Sequence, residues 1–148
     1  VAGSYGQGTY TFERDGKVLH VHKQLINGFQ HAMGSALVAY ELGGRTANCL
    51  FRLNEYVEAF DGSRSNTLKF NLDTRKDLAN NVVGIRIGRS TRKLGLWGNN
   101  AEKHIIDEVL AAMDREEVIK HYLDPRVAKL PTVAEYGCPG LPEPVTPE

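Results

Sequence analysis

The chain carries no excess of either charge: across its 148 residues, 18 basic side chains balance 18 acidic ones. The global basic field with which a nucleic-acid binder collects phosphate is therefore missing, and no nucleic-acid partner is favoured. Cysteine is scarce. Cys49 and Cys138 are the two present, which allows one bridge at most and excludes a disulfide scaffold. Proline is absent from the first 124 residues and then occurs at Pro125, Pro131, Pro139, Pro142, Pro144 and Pro147. The apolar runs are too short to span a bilayer. There is no phosphate-binding loop, dinucleotide fingerprint or zinc-finger spacing, so no cofactor is expected.

Apolar residues make up 41% of the chain, enough for one buried core at this length. The expected fold is mainly α (α+β): a compact, lysozyme-like helical domain over residues 1–124, with a Pro-rich extended tail over 125–148 that either wraps the body or hangs free. A β-hairpin is expected over 8–23, because two β-favouring runs flank Asp15-Gly16, which supplies the positive φ of a tight turn. Three-four spacing of apolar residues predicts helices over about 24–42 and 46–60, separated by Gly43-Gly44. A third helix is expected over about 73–86, opening at Asp73 as its N-cap. Gly84, Gly88 and the Gly95–Gly98 stretch then suggest a tight connection, with room for a second short hairpin. The last helical region is expected over about 100–123, with a break at Asp114 where a new N-cap pattern begins.

One strip of the third helix is unusual. Asp77, Asn80, Asn81, Gly84 and Gly88 recur at steps of three and four, although Asn and Gly lower helix stability by about half and about one kcal/mol relative to Ala. Such a strip is either a satisfied helix–helix contact or a groove wall that binds a polar substrate. His31 stands on a mixed helical face, as a hydrogen-bonded core residue or as a catalyst. Glu58 lies near the C-terminus of the second helix, where the dipole raises a carboxyl pKa, as a general acid requires; Glu55 is the fallback. Weaker signals are a same-side pair at His20 and His22, a Cys49–His31 nucleophile and base, and a Cys49–Cys138 bridge to the tail.

The segments Phe29-Gln30-His31-Ala32, Glu58, and Asp77-Leu78-Ala79-Asn80-Asn81-Val82-Val83-Gly84 carry a family signature. Over residues 27–88 the chain resembles a small helical domain found at the C-termini of bacterial polymorphic toxins and secreted wall-associated proteins. That family shows an Arg-His-Ala start, a His-Glu pair and an Asp-x-x-Asn-Asn-x-x-Gly run. Gln30 stands in place of the arginine and Val57 in place of the histidine before the glutamate. The resemblance implies a secreted interbacterial effector whose functional residues match His31, Glu58, Asp77, Asn80 and Asn81, and whose partner is a cognate immunity protein.

The expected activity is that of an antibacterial toxin in the periplasm of a target cell, hydrolysing the glycosidic bonds of peptidoglycan. Glu58 would protonate the leaving oxygen. Asp77 would stabilise the oxocarbenium ion or activate water, His31 would orient a carboxylate, and Gln30, Asn80 and Asn81 would bind substrate. Two rivals stand beside it. One is a metal-assisted hydrolase of phospholipid or nucleic acid with His31, Glu58 and Asp77 as ligands; the other is a non-enzymatic binding module.

Overall fold

The computed structural model describes residues 9–14, 16–60 and 68–131. The chain runs β1 (Thr9–Arg14), β2 (Lys17–His22), α1 (Lys23–Leu42), α2 (Gly44–Phe60), α3 (Leu68–Lys93) and α4 (Gly98–Asp114), then a 3₁₀ turn at Val127–Lys129. It is a mainly α fold with an N-terminal hairpin. In the hairpin Arg14 pairs with Lys17 and Thr9 with His22, so the loop is two residues long. Gly16 sits at φ +71°, the left-handed region that such a turn requires.

Two junctions set the helix directions. Gly43, at φ +89°, ends α1 by donating its N–H to Ala39 O (2.9 Å), and its own carbonyl accepts from Ala47 N–H (3.1 Å) as α2 begins. After α4, Glu116 takes φ +59°; its N–H reaches Met113 O (3.0 Å) and the Glu117 N–H reaches Ala112 O (2.9 Å). That pair of bonds is a Schellman closure, which satisfies carbonyls the helix end would otherwise leave open.

α3 is the central helix. It is buried from Lys76 through Ile85, although it carries Lys76, Asp77, Asn80 and Asn81 within that stretch. The main core lies where α1, α3 and α4 meet, built from Ala32, Ala36, Val83, Ile105, Val109 and Ala112. A second cluster joins Ala39 and Ala47 to Ile85, which seats α2 on the α1–α3 pair.

α3 continues well past Arg86, and the expected connection at Gly84 and Gly88 is instead uninterrupted helix to Lys93. The reason is packing. A Cβ at Gly84 would overlap Ala32 O and Ser35 Oγ, and one at Gly88 would overlap Ala36 O. The glycines let the α1 backbone approach, and the close packing of the two helices offsets a propensity cost of about 1 kcal/mol each. The Gly95–Gly98 stretch is a tight α3–α4 turn with both glycines at positive φ, rather than a hairpin.

α4 stops at Asp114, as the N-cap pattern suggested, but no helix follows to residue 123. Residues 118–131 instead cross α3, burying Val118, Ile119, Val127 and Leu130. Residues 125–131, with Pro125 and Pro131, thus lie against the body; residues 132–148 lie outside the described part.

Candidate functional site

Two polar stripes face each other across the α1–α3 contact. On α1, Asn27, His31 and Ser35 recur every four residues; on α3, Asp73, Asp77 and Asn81 do the same. His31 is the centre of the contact. Its Nδ1 lies 3.2 Å from Asn81 Oδ1 and its Nε2 lies 3.4 Å from Asp77 Oδ2. An amide oxygen only accepts, so Nδ1 carries a hydrogen and donates it. On the other side of the ring Nε2 faces the Asp77 carboxyl, a contact longer than a hydrogen bond of ordinary length.

Behind His31 stands a buried lysine. Lys76 Nζ donates to Asp73 Oδ1 (2.7 Å) and Asn27 Oδ1 (3.1 Å). It also lies 3.2 Å from Asp77 Oδ1, a charge contact that is not aligned as a hydrogen bond. Its side chain is 5% exposed, so three oxygen neighbours take the place of water around the ammonium. Burial raises the Asp77 pKa above the usual aspartate value, against the opposing pull of His31 and Lys76. Asp77 is thus a carboxyl that holds a proton more readily than an exposed aspartate.

The group that reaches the open is His31, whose side chain is 27% exposed against 10% for Asp77. It borders a hollow of about 170 Å³ together with Gln30, Gly34, Ser35, Phe51 and Asn81. Ser35 does not offer a nucleophile there, because its hydroxyl is buried and donates to His31 O at 2.7 Å. Gly34 leaves space, since a Cβ at that position would meet nothing within 4 Å.

The structure therefore gathers His31, Asp77 and Asn81, with Gln30 on the same hollow. Asn80 is elsewhere. Fully buried, it donates Nδ2–H to Ile119 O (2.9 Å) and accepts the Ile119 N–H on Oδ1 (2.8 Å). Both its functional groups are consumed by the crossing segment, so it acts as a structural clamp rather than the expected substrate contact.

Glu58 belongs to α2, but its side chain lies outside the described part, as do those of His20 and His22 and the whole of Cys138. Among the described residues no three His, Cys, Asp or Glu side chains gather as metal ligands, and the Lys76 ammonium already faces Asp77. Sequence reasoning does not single out Lys76 or Asn27, and it expects Asp73 only as the N-cap of α3, which instead begins at Leu68 and carries Asp73 within it. The available signal was the four-residue recurrence of Asn27 with His31 and of Asp73 with Asp77.

No family model, curated protein or solved structure matches the chain. Among the described residues no helix is long and apolar enough to cross a membrane.

Proposed function

We propose that the chain is an antibacterial effector domain that hydrolyses the glycan of the bacterial envelope, with the His31–Asp77 pair as its proton-transfer centre. The observation carrying this reading is the partly exposed imidazole at the mouth of a hollow, backed by a buried carboxyl of raised pKa. Glycoside hydrolysis needs a proton donor for the leaving oxygen and a second group for the oxocarbenium ion or the attacking water. For His31 to give a proton to a leaving oxygen, that oxygen has to take the place of Asp77 Oδ2 beside Nε2, the longer of the two ring contacts, with the Asp77 carboxyl then left alongside to stabilise positive charge. Asn81 fixes the ring and the tautomer. In this assignment Asp77 orients His31, the reverse of the order the sequence suggested, because the imidazole lies nearer solvent. Glu58 on α2 is the candidate for the second carboxyl role. The target compartment and the immunity partner rest on the resemblance over residues 27–88.

The chain should be toxic when exported to the periplasm and harmless in the cytoplasm, and the purified protein should lower the turbidity of isolated peptidoglycan. His31→Ala and Asp77→Asn should each lose about 10²-fold or more of that activity. Asn81→Ala should lose activity together with about 1–2 kcal/mol of stability, because truncating this buried side chain strands the His31 Nδ1–H and recovers only about half a kcal/mol of helix propensity. Full clearing activity in Asp77→Asn protein would remove the pair from the mechanism.

A second reading, a non-enzymatic binding module, draws support from one feature: both ring nitrogens of His31 and the whole of Lys76 already have partners within the fold. It predicts that His31→Ala and Asp77→Asn lose stability and partner binding together, with no hydrolysis by the wild type.

A further inference from the structure

Trp97, the only tryptophan of the chain, is 80% exposed. Single exposed apolar residues are ordinary on a protein surface, and what sets this indole apart is how it is held and what lies beside it. It is not displayed by a loose loop. Gly95 (φ +69°) and Gly98 (φ +56°) shape the turn that carries it, and the Tyr40 hydroxyl donates to Leu96 O at 2.6 Å, tying that turn to α1. Beside the indole lies a hollow of about 430 Å³, bordered by Leu37, Tyr40, Glu41, Asn99 and Glu102.

This lining selects a chemistry. It offers aromatic faces, two carboxylates and one amide, and no Lys or Arg. Phosphate, nucleic acid and acidic lipid headgroups would be repelled by the glutamates. A pyranose ring fits both features: its C–H face stacks on an indole, and its hydroxyl and acetamido N–H groups donate to carboxylate and amide oxygens. Placement supports the same ligand. Leu37 and Glu41 continue the α1 stripe of Gln30 and Gly34, at steps of four, three and four residues, so the Trp97 hollow and the His31 hollow share one outward face of the helix. From Gln30 to Leu37 the axial distance is about 10 Å.

We infer that Trp97 is a sugar-stacking platform, a glycan subsite from which a peptidoglycan strand continues along α1 to His31. The direction toward His31 rests on the proposed hydrolase reading, whereas the platform itself does not.

The test uses the whole chain, with soluble N-acetylglucosamine oligomers and insoluble peptidoglycan as probes. Because there is one tryptophan, intrinsic emission reports on this site alone, and oligomers should shift it saturably. Trp97→Ala should bind both probes about tenfold or more weakly, the size of loss usual for truncating a buried-on-binding aromatic anchor. Trp97→Phe should keep much of the affinity, and circular dichroism should show both variants folded. Wild-type binding by Trp97→Ala, saturation without a change in emission, or a preference for oligolysine over sugar would each overturn the platform. Asp77→Asn separates the two ideas. If it binds sugar but does not cut, both stand; if it cuts normally while Trp97→Ala fails to bind, the catalytic assignment falls and the platform remains.

Discussion

Replacing Asn80 tests the account of α3 most sharply. Its side chain makes two hydrogen bonds to the Ile119 backbone, at 2.9 and 2.8 Å, in a place with no solvent. Asn80→Ala leaves a buried carbonyl and a buried N–H without partners, at about 1–3 kcal/mol each. The gain in helix propensity returns about half a kcal/mol. The net loss is then about 2–5 kcal/mol, a large share of the stability of an ordinary domain. At about 3 °C per kcal/mol for a chain of this size, Tm should fall by about 6–15 °C.

Asn80→Asp sharpens the experiment. Its carboxylate can still accept the Ile119 N–H, but it sets a second oxygen against Ile119 O, where Asn80 supplied a donor. It should be at least as destabilised as Asn80→Ala at neutral pH and should recover on acidification, when the protonated carboxyl can donate. Thermal and urea unfolding of the three proteins at two pH values measure this. A wild-type Tm in Asn80→Ala would refute the clamp and make Asn80 a substrate contact again.

Gly84→Ala should destabilise by about 2 kcal/mol or more, since its Cβ meets the Ala32 backbone oxygen, whereas Gly34→Ala, into open space, should stabilise by up to about 1 kcal/mol; equal Tm changes would contradict the close α1–α3 approach. Asp77 has a raised folded pKa, so its contribution to stability is fully present below the unfolded value and is lost as pH rises through the folded one. Asp124 is the opposite case: its hydrogen bonds from Arg126 lower its pKa, so its contribution is present at neutral pH and lost as pH falls through the depressed folded value. Asp124→Asn should therefore lower Tm at neutral pH and flatten the acid limb, and Asp77→Asn should weaken the loss seen on raising pH from strongly acidic values. Tm profiles from strongly acidic to neutral pH would show the reverse slopes if the assignments are wrong.

Local chemistry made much of this architecture legible from the residues alone. Three-four spacing and the Gly43 stop predict α1 and α2 because a left-handed junction glycine and an apolar stripe act within a few residues. The Asp15-Gly16 pair announces the hairpin for the same reason. The recurrence of Asp77, Asn80, Asn81, Gly84 and Gly88 marks a special side of α3, of which Asp77, Asn81, Gly84 and Gly88 meet α1 and Asn80 does not.

What the residues could not state was which partner each would find. Gly84 and Gly88 look like breakers until the α1 backbone is seen to occupy the space of their missing side chains. Asn80 and Asn81 are adjacent and chemically identical, yet about 100° of helical rotation turns one to the Ile119 backbone and the other to His31. Nothing local marks Lys76 for burial, and only the convergence of Asp73, Asp77 and Asn27 makes it tolerable. Periodicity records which side of a helix is special; the packing of α1 and the 118–131 crossing on α3 decides which residues on that side hold the fold and which remain available for chemistry.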